Sequence, residues 1–398
     1  MTGIQPFRGQ IVCQEVAHDV VAPAYDAMTA FQRRNFRASH PNSYLHVTRS
    51  AEDEVDADTV TDAELVLRGR AALEALLVQD VFVRHGEPAF YVYRLIDGAH
   101  CQHGLVCEIP SEYYGSVARP HEATRIDRAR LLAAHFATVR AASSPVACTV
   151  RDDGSLEAEL VAATNGDPVL DIVGADDGLQ QTVWRVGNSA RGAAFQQQLQ
   201  DADLFIIDGH HRSAANQQLL AQGISVPVLA AIFPEQSLRL VGFHRLLRVG
   251  LDVSIDELMH RIRRRFTVEI ISDVATVIAG QVAIFVDDEW HVVQFDERPI
   301  AGGPRIRLGS LDPVVLEREI LAGIVGALGP YDVTYMPDTE PFSAMVEAAE
   351  SQGRIPIFVP PVAIEDMMAV AKGGVIMPAK STYFTPKVRS GLFLRVFD

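Results

Sequence analysis

Apolar positions along this chain recur with two periods, separated by short Gly, Pro, Asn and Asp punctuation. Short apolar or alternating runs predict strands at 90–96, 102–109, 146–150, 169–173, 182–186, 203–207, 226–233 and 238–249. The dipeptide Asp97-Gly98 between the first two favours a type I′ hairpin turn. Helical spacing appears at Leu65, Ala72, Leu73, Leu76 and Leu77, and again at Leu131, Leu132, Phe136 and Val139. Thr124 is the expected N-cap of that second helix, with Asp127 three residues on. A third helix is expected from His210 to about Gly223, a C′ glycine, and Ser254 to Glu257 reads as a capping box opening a fourth, which ends at Phe266. Beyond it come a hairpin over 282–295, a helix from about Asp312, a strand at 355–359, a helix at 364–372 and a closing strand at 392–396. Hairpins mixed with helices predict an α+β fold of mixed sheets and packed helices, not a regular β-α-β-α alternation.

Length and charge narrow the function classes. At roughly 150 residues per domain, 398 residues predict two or three domains or one two-lobed body, and a soft boundary near 250 gives parts 1–250 and 251–398. With 35 Lys+Arg against 51 Asp+Glu the net charge is −16, which argues against nucleic acid or an anionic membrane as partner and leaves room for local basic pockets. No apolar run approaches the roughly 18–20 residues of a membrane span. The start lacks a basic region followed by an apolar one, so the expected location is the cytoplasm. Cys13, Cys101, Cys107 and Cys148 show neither C-x-x-C nor zinc-ligand spacing and read as small hydrophobes. The acidic run Glu52, Asp53, Glu54, Asp56, Asp58, Asp62 and Glu64 reads as a solvated face or mobile loop, not a metal site.

The densest chemistry lies at 206–212, Ile-Ile-Asp-Gly-His-His-Arg. A buried strand hands over through a glycine turn to a helix N-terminus, where N–H groups without intrahelical acceptors and the macrodipole favour an anion. Gly209 shapes the turn, Arg212 offers a planar fork to phosphate oxygens, and His210 and His211 add donors. Asp208 is suited to hold a magnesium ion or to orient a histidine. The competing structural reading is an aspartate N-cap beside surface histidines. The functional reading requires a hollow in front of the turn and a guanidinium not tied up elsewhere.

His121-Glu122-Ala123-Thr124 forms a second cluster ahead of a helix. Glu122 either complements the helix dipole or, facing the phosphate site, serves as general base for an attacking hydroxyl. Lys380-Ser381-Thr382, with Lys387 and Arg389 nearby, is a third, cationic patch; it lacks the Walker glycines and reads equally well as a basic surface turn. His244 and Arg245 sit on an apolar strand, where a packed, hydrogen-bonded pair is commoner than a ligand site. Trp184, Tyr91 and Tyr93 read as core. Neither a nucleophile elbow nor an H-E-x-x-H helix occurs.

At these residues the chain resembles the bacterial and archaeal proteins grouped as domain of unknown function 1015. The shared segments include 4–8, 41–46, 91–94, 104–106, 121–124, 184–185, 208–212, 243–245, 377–382, 384–387 and 389–393. Ala24, Pro120, Ser213 and Ala379 depart from that pattern, where a second proline, a basic residue, an aromatic and a proline are usual. The 208–212 box is further similar to the phosphate-binding segment of the ParB/sulfiredoxin-like superfamily, some of whose members are free-serine kinases. That similarity implies a ParB/sulfiredoxin-like core in the N-terminal part, with a smaller α+β C-terminal part completing a cleft. It also implies phosphate contacts from Gly209, His210, His211 and Arg212, a metal or phosphate role for Asp208, and Glu122 as base. Lys380, Ser381 and Thr382 are then further phosphate or nucleotide ligands, and His121, Thr124, His244 and Arg245 candidate substrate contacts.

Two functions follow as expectations. One is a kinase moving phosphate from ATP or ADP, with Mg2+, to a small hydroxylated metabolite, free L-serine being the leading choice. The other is a nucleotide- or metabolite-sensing protein using the same pocket without turnover. Expected partners are a small-molecule substrate and a nucleotide, with a homodimer left open.

Overall fold

The computed structural model describes residues 3–174, 176–187, 189–295 and 308–397. The fold is α+β, and its contacts divide the chain into two units. The first comprises residues up to Pro120, Thr124–Leu238 and the stretch from Pro386; the second comprises His121–Ala123 and Arg239–Thr385. The division falls after Leu238, where a boundary was expected near 250, and it is not a single cut.

The first unit is built on an eight-stranded mixed sheet. Its order is Ala118–Arg119, Leu204–Asp208, Val146–Val150, Val228–Pro234, His100–Ile109, Phe90–Asp97, Gln180–Val186 and Leu170–Val173. The Phe90–Asp97 and His100–Ile109 strands form the expected hairpin, with Asp97 opposite His100 and Gly98 at φ 59°. One face carries Leu105, Cys107, Ile206 and Ile232 in a core closed by Leu156, Leu160 and Phe195. Strand alternation puts Phe205 and Ile207 on the other face. Two helices, Ile126–Val139 and His210–Ala221, meet through Ala133, Phe136, Ala215 and Leu219. Tyr91, Tyr93 and Trp184 are buried as expected. The four cysteines are all free thiols, but only Cys107 and Cys148 are buried; Cys101 is exposed.

The second unit holds a six-stranded antiparallel sheet ordered Thr267–Ile271, Glu289–Gln294, Gln281–Val286, Ile355–Phe358, Phe243–Val249 and Tyr331–Pro337. Leu247 on one face packs with Leu258, Ile262, Leu316 and Ile320; Leu246 on the other packs with Met345, Ala349 and Phe358. The run expected as one strand over 238–249 is broken at Gly242. There a Cβ would lie 2.3 Å from the Val359 carbonyl oxygen, so only glycine fits. Its first part, Arg239–Val241, pairs with Tyr383–Thr385 in a separate two-stranded sheet.

Two expectations about charge and capping are corrected. The acidic run is not simply a solvated face. Asp53 is buried against Arg33 (2.7 Å), and Glu54 binds Arg37 (2.7 Å) and Arg49 (2.9 Å). The helix expected to be capped by Thr124 starts at Ile126 with Arg125 at the N-cap, and no side chain caps it. Among the described residues, no helix is long and apolar enough to cross a membrane.

Candidate functional site

The strand Leu204–Asp208 delivers the box. Its pairing to Val146–Val150 slips by one residue between Ile206 and Asp208, a bulge of the kind that re-aims a strand's last side chain. Gly209 follows at φ 89°, ψ 25°, a left-handed conformation that glycine adopts without strain, and the helix begins at His210. A Cβ at Gly209 would sit 2.8 Å from Arg212 Nε and 2.9 Å from its Cζ, so the guanidinium lies folded over the turn.

Asp208 is buried between two cations. Its Oδ2 accepts from Arg212 Nη2 at 2.6 Å, and its Oδ1 accepts from Lys387 Nζ. Burial alone would raise its pKa, but Lys387 and Arg212, with His210 beside them, hold the carboxyl well below the usual range. One carboxylate against two cations leaves the cluster net positive at the positive end of a helix dipole. Lys387 was legible only as a basic residue near 380–382, since nothing local links it to Asp208 across a separation of 179 positions.

The expected free fork is not what Arg212 presents. Its Nη1 donates to the carbonyls of Ser144 (2.9 Å) and Pro145 (2.7 Å), and Nη2 is taken by Asp208. The expected hollow does exist. It measures about 730 Å3 with the solvent at its mouth, and Asp208, Gly209, His211 and Arg212 line it, all within the first unit. Tyr25, Asp26 and Arg128 and the apolar Leu132 and Phe136 also line it. His135, also in the wall, is pushed down by burial to about 4 and is neutral at pH 7.

His211 ties two helices together. Its Nε2 accepts the backbone N–H of Arg125 at 3.0 Å, so that nitrogen carries no proton in this arrangement. His210 is buried beside Asp208. Thr124 belongs to the first unit and is half-buried.

The remaining sequence candidates belong to the second unit. His121 is fully buried, its Nε2 hydrogen-bonded to Thr382 Oγ1 at 2.9 Å. Glu122 lies in a parallel bridge with Met377 and in the field of Arg245, whose buried guanidinium is pushed down by desolvation and supported by Tyr335, Glu317 and Glu122. Arg245 donates to the Phe243 carbonyl and lies 4.9 Å over the Tyr335 ring. His244 accepts the Val359 N–H on Nδ1 at 3.2 Å, with Nε2 3.5 Å from Asp338. His244 and Arg245 are thus packed core groups. Ser381 Oγ donates to the Pro378 carbonyl at 2.7 Å, and Lys380 lies 5.4 Å over the Phe243 ring at φ 63°.

Both Asp208 oxygens are engaged by cations, and among the described residues no group of three or more His, Cys, Asp or Glu assembles to hold a metal. The residues present do not make a protein-held magnesium site.

Residues 4–314 match the family described as Protein of unknown function (DUF1015). The chain belongs to this family. No curated protein matches it. Among solved structures, C-terminally truncated SbnI from Staphylococcus aureus is similar at 14% identity and TM-score 0.39, over 72% of this chain and 85% of that one. A free serine kinase in complex with AMP is similar at 13% identity and TM-score 0.38, over 71% and 91%. A conserved hypothetical protein from Pyrococcus furiosus is similar at 12% identity and TM-score 0.35, over 72% and 93%.

Proposed function

We propose that the hollow before the 208–212 turn receives the phosphate of a nucleotide, and that the protein is a small-molecule kinase acting on a hydroxylated metabolite, free L-serine first among them. The observation that carries this reading is the net-positive Asp208–Arg212–Lys387 cluster at a glycine-opened helix N-terminus that lines a hollow. The box's similarity to the ParB/sulfiredoxin-like phosphate segment supports the same reading.

In this arrangement Asp208 is a positioning residue. Its depressed pKa makes it a poor base, and its work is to hold Arg212 and Lys387 in place. Turn N–H groups at 209–211 supply donors to a phosphate, and His211, anchored through Nε2, lies in the wall beside them. In the transfer itself the acceptor hydroxyl oxygen attacks the terminal phosphorus in line, the bond from that phosphorus to the bridging oxygen of the donor breaks, and the hydroxyl proton leaves to a general base or to solvent.

One observation favours the second reading, binding without turnover: Arg212 spends its Nη donors on the protein itself. Incubation with ATP or ADP, Mg2+ and a panel of hydroxy-amino acids, alongside calorimetry with ADP, separates the two. Phosphorylated product supports the kinase, and saturable ADP binding without product supports the sensor. Absence of both, or turnover unchanged in a folded Arg212→Ala variant, overturns the proposed role of the turn.

A further inference from the structure

The helix Ile126–Val139 turns one face to the hollow. Arg128, Leu132, His135 and Phe136, at i, i+4, i+7 and i+8, all line it, so the wall changes along the helix from a cation to apolar groups and an imidazole. Ala141 and Ala142 continue the apolar wall past the helix end. The His211–Arg125 bond fixes the phosphate turn beside the start of this helix. His135 lies ten positions beyond Arg125, about 15 Å along the axis at 1.5 Å per residue.

His135 is a buried titratable group in which the phosphate turn has no part. It is 8% exposed, and burial is the one influence on its pKa: among the described residues no hydrogen bond and no charge offsets it. The ring is closely packed on its far side. A Cβ at Gly69 would come within 3.5 Å of its Cε1 and 2.5 Å of the Val47 carbonyl oxygen, so glycine is what lets the helix Asp62–Val78 approach this near. A buried polar group without a partner is a net cost to folding. In the wall of a hollow that cost is offset when a ligand supplies the missing partner.

The surroundings define the ligand. A neutral imidazole offers one N–H donor and one acceptor nitrogen. Leu132, Phe136, Ala141 and Ala142 give nothing that would compensate the desolvation of a charge, so the ends of a hydroxy-amino acid do not suit this part of the wall. What suits it is an uncharged, largely apolar ring with donors and acceptors on its edge. We infer that the His135 end of the hollow receives the heteroaromatic base of a nucleotide, and that His135 is the residue that determines which base is taken. This rests on the proposed reading of the turn as the phosphate site and assigns the other end of the same ligand.

Calorimetry on the full chain tests it, with ADP, GDP, CDP and UDP as probes and inorganic pyrophosphate, which has no base, as the control. In the wild type, at least one nucleotide is expected to bind at least tenfold more tightly than pyrophosphate and than another of the four. His135→Leu is expected to weaken that nucleotide by about fivefold or more, the lower end for leaving a buried polar group of the base unpaired. Its pyrophosphate affinity should stay within twofold, and His135→Gln, which keeps a donor and an acceptor, should recover part of the preference. Stability gives an independent readout. Because leucine removes an unpaired polar group, the urea midpoint followed by Trp184 in a Trp290→Phe background should be no lower in His135→Leu than in its parent. Pyrophosphate binding with no preference among the bases, or with a preference indifferent to His135→Leu, overturns the base site and leaves the phosphate turn standing. A lowered midpoint with pyrophosphate and nucleotide weakened alike marks the ring as packing and overturns the base site too. Failure of the wild type to bind pyrophosphate and every nucleotide overturns both.

Discussion

Replacing Asp208 by asparagine tests the cluster on which the site is built. Asparagine keeps the shape and one acceptor oxygen but removes the charge facing Arg212 and Lys387. The side chains of Asp208, Arg212 and Lys387 are 11%, 17% and 13% exposed, so solvent screens the pairs little. Removing one partner of a buried ion pair costs about 3–5 kcal/mol, mainly because the other charge is left buried and uncompensated. Arg212 keeps its bonds to the Ser144 and Pro145 carbonyls, so the loss falls mainly on Lys387 and the lower half of that range is expected. Lys387→Met leaves the Asp208–Arg212 pair intact and should cost about 1–3 kcal/mol. Adding Lys387→Met to Asp208→Asn removes the charge that lost its carboxylate, so the double variant should fall short of additivity by about 0.5–3 kcal/mol.

The chain's two tryptophans, Trp184 and Trp290, fall one in each unit, so a Trp290→Phe background makes Trp184 the sole indole and a reporter of the first unit. With a urea m-value of about 2–3 kcal/mol/M, Asp208→Asn should lower the midpoint seen by Trp184 by about 1–2 M. The acid limb has a definite sign. A carboxyl held low in the folded state contributes stability that is fully present above its unfolded pKa, near 3.9, and is lost as pH falls through the folded value. The loss between about pH 4 and pH 2 should therefore be smaller in Asp208→Asn. A cost below about 1 kcal/mol, or strict additivity with Lys387→Met, refutes the reasoning.

Two further outcomes follow from charges elsewhere in the fold. Asp53→Asn should destabilise the first unit by about 1–3 kcal/mol because it removes the buried carboxylate at 2.7 Å from Arg33, which keeps Glu52 and the Met28 carbonyl, while the exposed Asp58→Asn stays within about 0.5 kcal/mol; equal effects in urea unfolding would return the acidic run to a solvated face. Asp312 is pushed up to about 7 by burial, partly offset by its bonds to the Gly280 N–H, with Asp366 adding to the rise. Its raised folded pKa means that the stability it confers is present below pH 4 or so and is lost as pH rises through about 7. A Trp184→Phe background should show Trp290-detected stability falling between pH 5 and 8, and Asp312→Asn should flatten that slope.

Local signals carried much of the fold. The Asp97-Gly98 hairpin, the helices from Asp62 and Ile255 with their Thr61 and Ser254 caps, and the turn at Gly209 depend on residues a few positions apart. Periodicity and turn chemistry act over that range, so the α+β class and the place of the box could be read directly. The Ile126 helix was misjudged at its first residue because Thr124 looks like a cap, whereas the His211 ring accepts the Arg125 N–H instead.

By itself, then, the sequence determined most strands of the first sheet and several helices, which family the chain belongs to, and where a strand passes through glycine into a helix tip. Only the tertiary structure decided which charges meet. Asp208 takes Lys387 from 179 residues away, Arg212 takes carbonyls 67 and 68 residues back, and the acidic run finds Arg33 and Arg37. The physical reason is range. Backbone preference is set by near neighbours, while a buried charge must be matched by whatever partner folding brings within about 3 Å, and that partner leaves no trace in local spacing.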